Sequence, residues 1–324
     1  MIDKKKLEKL KYLIEGSKSI AIATHVNPDG DALGSSFSLC LALKKIGKDV
    51  HVIKNSQIPE YLDFIENKDL YEDFDALKEN IFDLFITLDC SELDRISIAD
   101  QLFKNAKNTI VVDHHVKGGI NGDLSIIYEN SSSTCELVYE IIKFLNIDFD
   151  KDISSLLFTG IVTDTGRFMY ENVTKDTMNV AGNLIEMNAD SQNIYQNLYQ
   201  KKSYNQLLME SEAVKKAEFY DNNSKVFFYI SDEFVKKYNR TMSDTDPIVN
   251  ILRDIDGVKL STILKEDIIN EEYKVSMRSK DDTFDVSKVA RDNGGGGHKR
   301  ASGFEIKTNE ENALKKIRKI VKDL

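Results

Sequence analysis

Hydrophobic residues along the first part of the chain fall into short runs separated by longer stretches of mixed polarity. The runs are rich in small and β-branched side chains and have the length of buried strands, so we predict strands at 19–24, 49–54, 83–89, 108–113 and 125–128. The stretches between them predict helices at 5–15, 35–45, 58–80, from 133 onward, at 151–163 and at 174–187. Apolar strands alternating with helices indicate a parallel sheet covered by helices on both faces.

The remaining sequence has a different pattern. Residues 191–217 are polar and helical, with no proline, which predicts a helical linker. Strands follow at 225–230, 259–264 and 273–278, with short helices at 246–253 and 286–291 and a last strand and helix up to 322. We therefore predict an α/β domain at 1–190, a linker at 191–217, and a smaller α+β domain at 218–324.

Composition indicates a globular protein without a membrane partner. Hydrophobic residues make up 41% of the chain and charged residues 30%, and no apolar run reaches the length of a membrane span. The charged start leads into an amphipathic helix, which is unlike a signal peptide. The three cysteines are scattered, as reduced structural thiols would be, so we expect a cytoplasmic protein.

The net charge of −10 is unevenly distributed along the chain. Residues 1–190 carry a net charge of −12, whereas residues 191–324 carry +2. An acidic first part argues against tight binding of long nucleic acid, which requires many phosphate contacts. It fits a site in which carboxylates surround cations.

Acidic and imidazole side chains follow several of the predicted strands and helices. They are His25, Asp29, Asp31, Asp89, Asp113, His114, His115 and Asp164. Each piece alone fits a turn or a helix cap, but together they would repel one another at one sheet edge unless cations compensated them. Oxygen and imidazole ligands suit manganese, with magnesium or ferrous iron as alternatives, and their number suits two divalent ions.

The order of these motifs resembles the DHH phosphoesterase family. The motifs are His-x-x-Pro-Asp-x-Asp-x-x-Gly from His25, a strand ending in Asp89, Asp-His-His at 113–115 and Thr-Asp-Thr-Gly at 163–166. The tail Gly-Gly-Gly-Gly-His-Lys-Arg-Ala-Ser-Gly at 294–303 resembles the DHHA1 domain that accompanies it. The chain is most similar to the nano-RNase and pAp phosphatase branch in length and plan.

The resemblance implies two ligand sets that share Asp89: His25, Asp29 and Asp89 for one ion, and Asp31, Asp89, His114 and Asp164 for the other. Asp113 would orient a ligating imidazole, and His115 would face the scissile phosphate. The metals would activate a water for in-line attack on phosphorus. Gly30 and Gly34 would keep the first turn open for its carboxylates.

The glycine run is expected to bind substrate phosphate. Four glycines let backbone amides approach an anion closely, whereas a flexible linker is the alternative explanation of such a run. We expect the substrate-binding residues to be Gly295, Gly296, Gly297, His298, Lys299, Arg300 and Ser302, with Arg278 on a preceding strand and Arg167 after the Asp164 turn.

The resemblance implies hydrolysis of short oligoribonucleotides and linear dinucleotides such as pApA to 5′-mononucleotides, and of 3′-phosphoadenosine 5′-phosphate (pAp) to AMP. Two alternatives stay open: a phosphodiesterase that opens cyclic di-AMP, and a non-catalytic nucleotide-binding protein. The glycine run argues against a pyrophosphatase, and the chain length argues against a RecJ-like exonuclease. The apolar face of the linker fits a homodimer contact or an intramolecular one equally well.

Overall fold

The computed structural model describes residues 2–115 and 118–324. The chain divides into two compact units, the first ending at Lys201 and the second beginning at Lys202. The finer division at 190 and 217 remains our proposal. No helix among the described residues is long and apolar enough to cross a membrane.

A parallel sheet organises the first unit. Its strands within the described residues are β1 (Ser19–Ala23), β2 (Asp49–Lys54), β3 (Tyr71–Asp73), β4 (Leu84–Leu88), β5 (Thr109–Asp113) and β6 (Leu124–Ile127). Their order is β3-β2-β1-β4-β5-β6, and every pairing is parallel. The order reverses at β1, because β2 lies on one side of it and β4 on the other. Such a switch point, at the carboxyl ends of the strands, is where open α/β sheets bind ligands.

Helices cover both faces of this sheet. They are α1 (Lys4–Glu15), α2 (Gly30–Lys45), α3 (Phe74–Leu77), α4 (Leu93–Ile96), α5 (Asp100–Asn105), α6 (Thr134–Phe144), α7 (Lys151–Asp164), α8 (Lys175–Glu186) and α9 (Ser191–Tyr199). Ile20 and Ile22 of β1 join a core that includes α2, α6 and α7. Ala21 and Ala23 join a second core on the opposite face. This alternation explains why the strand is apolar at every position from Ile20 to Ala23.

The predicted helix over 58–80 is wrong. The segment contains short 3₁₀ turns at Glu60–Leu62 and Lys68–Leu70, then β3 and α3. Pro59 provides no backbone donor within a helix, and Asn67 adopts a left-handed conformation with φ 61°. Tyr71–Asp73 instead extends the sheet by pairing with β2. The strand pairing therefore overrides the helical spacing of the apolar residues.

The second unit, all of whose residues are described, is built on a mixed sheet. Its strands are β7 (Glu218–Tyr220), β8 (Lys225–Ile230), β9 (Leu260–Asp267), β10 (Glu272–Ser279), β11 (Gly296–His298) and β12 (Ala301–Ile306), in the order β11-β12-β10-β9-β8-β7. Its helices are α10 (Tyr204–Lys216), α11 (Asp232–Lys237), α12 (Ile248–Asp254), α13 (Val286–Asp292) and α14 (Glu310–Asp323), with a 3₁₀ turn at Met242–Thr245. The predicted α/β and α+β classes are confirmed.

Candidate active site

The first predicted motif spans the loop after β1 and the start of α2. His25 is buried just beyond β1, and its Nε2 lies 3.3 Å from Asp89 Oδ2 and 4.0 Å from Asp29 Oδ1. Asp29 caps α2, because its Oδ1 accepts hydrogen bonds from the amides of Asp31 and Ala32, both at 3.0 Å. Asp31 lies fully buried in the first helical turn. One loop and one helix start thus bring three of the predicted ligands together.

Asp89 follows β4 and lies at the centre of the cluster. Its backbone adopts the left-handed region, with φ 57°, which is uncommon for a residue other than glycine. Burial would raise the pKa of Asp89, but hydrogen bonds from His115 and His25 hold it below its usual range. Its Oδ1 also accepts a hydrogen bond from the hydroxyl of Thr134 at 3.1 Å. The strained position persists because these partners fix the carboxylate.

The N-terminus of α6 holds the Asp31 carboxylate. The amide of Thr134 donates to Oδ2 at 2.6 Å, and the amide of Cys135 donates to Oδ1 at 2.8 Å. Burial, with repulsion from Asp89 and Asp164, raises the pKa of Asp31 well above its usual value. Two amides at the positive end of a helix oppose that effect by favouring the ionised form.

The second predicted ligand set surrounds His114. Its Nε2 lies 3.3 Å from Asp164 Oδ2, 3.6 Å from Asp89 Oδ1 and 3.8 Å from Asp31 Oδ2. This buried nitrogen has no hydrogen-bond partner among the described residues. Because buried polar atoms are normally satisfied, a nitrogen that faces three carboxylates without a bond fits a metal ligand.

Among the residues that the structure describes, three groups of side chains could hold a metal ion. Within each group one ligand atom per residue lies within 4.8 Å of the others, and the groups are His25, Asp29 and Asp89; Asp31, His114 and Asp164; and Asp89, His114 and His115. The structure therefore brings all six predicted metal ligands to one sheet edge. The donor set of carboxylates and imidazoles fits a hard divalent cation.

Asp113 has a different partner from the one expected. Its Oδ1 lies 2.9 Å from Nδ1 of His115, whereas Nδ1 of the predicted ligand His114 lies 3.3 Å from the carbonyl of Ser131. The hydrogen bond to Asp113, with a second to Asp89, raises the pKa of His115 to about 11. Asp113 thus holds His115 protonated. We had predicted that Asp113 orients a metal-binding imidazole, but its partner is His115 and not the predicted ligand His114.

Glycines allow α2 and α7 to approach closely. A Cβ on Gly30 would lie 2.4 Å from Thr163 Oγ1, and one on Gly34 would lie 2.5 Å from the carbonyl of Leu156. Both glycines lie within α2, so they serve helix packing and not the opening of a turn. This contact sets the carboxylates of the two helices side by side.

The predicted phosphate loop in the second unit is an edge strand. Gly296–His298 forms β11, which pairs antiparallel with β12 across a turn at residues 299 and 300. A Cβ on Gly295 would lie 2.2 Å from the carbonyl of Gly303, and Gly297 has φ 130°. Gly295 and Gly297 are therefore required for the backbone of this segment to lie close to the backbone of β12. The residues of β11 remain exposed to solvent.

The other predicted substrate residues are divided between the surface and the core. Lys299 Nζ and Arg300 Nη2 lie 3.1 Å and 3.4 Å from Asp282 Oδ1 at the end of the hairpin. Arg278 is half-buried on β10, where it pairs with β12. Ser302 is buried and donates its hydroxyl to a carbonyl of α13. The structure does not bring the Ser302 hydroxyl to the exposed end of the hairpin.

Comparison with known proteins supplies the family. Residues 19–161 match the model of the DHH family N-terminal domain, and residues 223–323 match the model of the DHHA1 domain. The chain belongs to the DHH family. The predicted family is therefore confirmed over most of the chain, and we use DHH domain and DHHA1 domain for the two matched parts.

Relatives of this DHH chain match it almost from end to end. The bifunctional oligoribonuclease and PAP phosphatase NrnA of Thermus thermophilus is 28% identical over 307 residues, which cover 93% of this chain and 89% of the relative. The protein of the same name from Bacillus subtilis is 26% identical over 291 residues, 89% of each chain. The crystal structure of an exopolyphosphatase-related protein from Bacteroides fragilis has a TM-score of 0.92 at 27% identity, covering 99% of this chain and 96% of that one.

The first unit also contains a hydrogen-bond network that sequence reasoning missed. Oε2 of the buried Glu136 accepts from the amide of Ser132 at 3.1 Å, from its hydroxyl at 2.5 Å and from the hydroxyl of Thr177 at 3.0 Å. Asn172 Nδ2 donates to the carbonyls of Ser132 and Asp164 at 2.9 Å and 3.2 Å. The run Ser-Ser-Ser at 131–133, directly before α6, was the available signal in the sequence.

Proposed function

We propose that the chain is a metal-dependent phosphoesterase of short nucleotides. It would hydrolyse oligoribonucleotides of a few residues and linear dinucleotides to 5′-mononucleotides, and pAp to AMP. The observation that carries the proposal is the buried His114 Nε2, which faces three carboxylates at a sheet switch point without a hydrogen-bond partner among the described residues. The names of the two relatives favour oligoribonucleotides and pAp as substrates.

Two divalent ions would complete the site. We assign His25, Asp29 and Asp89 to one ion, and Asp31, Asp89, His114 and Asp164 to the other. Manganese is the metal we propose, with magnesium and ferrous iron as alternatives that the donor set also accepts. When bound, such ions supply charge stabilisation and lower the pKa of water towards neutrality.

The chain's own residues would orient the substrate and move a proton. Nδ1 of His115 is committed to Asp113, which leaves Nε2 as the nitrogen that can donate to a phosphate oxygen. A cationic imidazole stabilises the negative charge that grows on the phosphoryl group. The amides of Thr134 and Cys135 meanwhile orient the Asp31 carboxylate and favour its ionised form. Asp113 and His115 therefore act as one unit in this proposal.

The exposed end of the β11–β12 hairpin would bind substrate phosphate. The residues assigned are Gly295, Gly296, Gly297, His298, Lys299 and Arg300, with Arg278 on the neighbouring strand. Arg167, in the first unit, is proposed separately as a substrate-binding residue. Ser302 would act only through its backbone, since its hydroxyl is buried against α13. A phosphate at the hairpin must displace Asp282 from Lys299 and Arg300.

We also propose a cytoplasmic protein, because Cys40, Cys90 and Cys135 are all free and buried. Reduced thiols of this kind are typical of a reducing compartment. A homodimer through the linker helices stays a prediction, which sedimentation equilibrium on the intact chain tests.

Rates on a panel of substrates test the proposed function. With manganese present, we expect pApA, pAp and a five-residue RNA to be hydrolysed faster than cyclic di-AMP and than a long RNA. Faster hydrolysis of cyclic di-AMP would favour the cyclic phosphodiesterase, and faster degradation of long RNA would exclude the short-substrate proposal. Binding of pApA without turnover in any metal would identify a non-catalytic binding protein.

A further inference from the structure

The segment after Asp164 has an unusual backbone. Gly166, Arg167 and Phe168 are consecutive and all lie in the left-handed region, with φ of 53°, 67° and 63°. Side chains other than glycine rarely adopt this conformation, and a run of three persists only where the surroundings impose it. Such strain clusters at functional sites, so the side chains that this segment presents to solvent are candidates for ligand contact.

The strained turn packs Phe168 against the core and places the exposed Arg167 beside Tyr199. The Arg167 guanidinium lies 4.8 Å from the ring centroid of Tyr199, a cation–π distance. Phe168 packs against Phe158 with centroids 6.2 Å apart. With these two residues anchored in the domain, the following Met169 remains 61% exposed.

Tyr170 is then fixed against the backbone beside Asp164. A Cβ on Gly166 would meet Cζ, Cε1 and Cε2 of Tyr170 at 2.3, 2.5 and 2.6 Å. The ring therefore lies across Gly166, and only glycine leaves room for it. The amide of Tyr170 donates to the carbonyl of Thr165 at 3.1 Å. The ring is thereby held over Gly166, which is two positions after Asp164 in the chain. The ring is nevertheless 46% exposed.

We propose that Tyr170, with the Met169 thioether beside it, is a stacking platform for a nucleobase of the substrate. The inference rests on the proposed function, which supplies a nucleotide to the carboxylate cluster that includes Asp164. A nucleobase is uncharged, so a contact to it adds binding energy that does not depend on the negative charge of residues 1–190. A base offers a π face to an aromatic ring whatever its sequence, and a thioether contacts rings favourably.

The predicted stacking on Tyr170 can be tested with dinucleotides that have both bases or lack one of them. The substrates are pApA and two abasic analogues, each lacking one adenine, with the manganese-loaded full chain. For Tyr170→Ala we expect KM for pApA to rise about fivefold or more, the effect typical of one lost base stack, with kcat within twofold. Tyr170→Phe should match the wild type, Tyr170→Leu should behave like Tyr170→Ala, and Tyr12→Ala is the control, as Tyr12 is 75% exposed on α1.

The abasic analogues separate stacking from a structural role. With the analogue that lacks the stacked base, the KM values of wild type and Tyr170→Ala should converge. An equal loss on all three substrates, or no loss on pApA, would overturn the platform while leaving the proposed function intact. A wild-type chain that hydrolyses none of the three would overturn both. Tyr170→Leu preserves a large apolar side chain, so it decides the question if Tyr170→Ala unfolds.

Discussion

The backbone amide of Thr134 donates to Oδ2 of Asp31 at 2.6 Å, across 103 positions of the chain. The amide of Cys135 takes the other carboxylate oxygen. Because two adjacent amides of one helix start hold both oxygens, the orientation of Asp31 depends on where α6 begins. Whatever fixes the residues before α6 therefore also fixes this proposed metal ligand.

Glu136 is the side chain that fixes those residues, so Glu136→Gln should weaken metal binding. The substitution keeps the shape but removes the charge that the two Ser132 donors and the Thr177 hydroxyl share. We expect the manganese Kd to rise about 10-fold, within the 10–100-fold cost of losing a partner of a metal ligand. Titration calorimetry measures it, with Glu129→Gln as the control on the exposed loop before α6. An unchanged Kd would show that Glu136 serves folding alone.

Asp89 allows a test of the strained backbone. Asp89→Ala and Asp89→Gly should both abolish turnover, because each removes the carboxylate shared by the two ligand sets. Alanine at this position must adopt the left-handed backbone, which costs about 1–2 kcal/mol of stability that glycine avoids. Glycine in turn loses about 0.4–1 kcal/mol of stability, because its unfolded chain has more conformational freedom. We therefore expect Asp89→Gly to unfold at a higher denaturant concentration than Asp89→Ala.

A matched pair at Asp113 provides the control for that comparison. Asp113 ends a strand and is not among the described residues with positive φ. Alanine should therefore be the more stable substitution there, since glycine gains nothing from its backbone freedom. If alanine were also more stable at Asp89, the left-handed backbone would not matter to stability.

Local sequence signals were enough to predict most strands of the first sheet and the acidic and imidazole residues that gather at its edge. The runs at β1 and β4 are apolar apart from Ser19 and the buried Thr87, and β5 is apolar from Ile110 to Val112. His25 after β1, Asp89 after β4 and Asp113 at the end of β5 could be placed at the sheet edge without any long-range information. Contacts made by backbone amides could not be predicted in this way, because the amide of Thr134 has no signature in its side chain. The edge strand at Tyr71–Asp73 was missed because its pairing with β2 decides its conformation.

Partners chosen by geometry were also missed. Glu136 has the spacing of a capping-box residue for Ser133, yet its carboxylate reaches the amide of Ser132. Asp113 was expected to orient a ligand imidazole, yet its neighbour two positions along, His115, takes the bond. Sequence spacing does not show which of two adjacent residues accepts or donates the hydrogen bond, because the local turn of the backbone decides which of them faces the partner.

Metal binding and stability should depend on pH through Asp164. Burial, with repulsion from Asp89, raises the pKa of Asp164 from 3.8 to about 8. The protonated form of Asp164 is thus favoured in the metal-free fold. The stability that protonated Asp164 contributes to the fold is complete below pH 3.8 and is lost as pH rises towards 8. A metal must displace that proton, so the manganese Kd should tighten by up to about tenfold per pH unit below pH 8.

Asp164→Asn isolates this effect. We expect the melting temperature of the metal-free wild type to fall relative to Asp164→Asn between pH 5 and 8, and to recover on addition of manganese, which binds only the native state. Thermal melts of both proteins across this range provide the measurement. Parallel pH dependences for the two proteins would mean that Asp164 is ionised throughout, contrary to the raised pKa.

Asp282 should limit phosphate binding at the DHHA1 hairpin. Its Oδ1 lies 3.1 Å from Lys299 Nζ and 3.4 Å from Arg300 Nη2, and exposed pairs of this kind are worth at most about 1 kcal/mol. Asp282→Asn should therefore lower KM for pAp by about two- to threefold, within that limit, and Arg300→Ala should raise it with kcat unchanged. Asp254→Asn is the control, because Asp254 pairs with Arg253 on α12. Steady-state rates at low and high salt measure the effect, which should shrink at high salt as exposed charges are screened. A higher KM for Asp282→Asn would show that the carboxylate positions the two cations and does not compete with the phosphate.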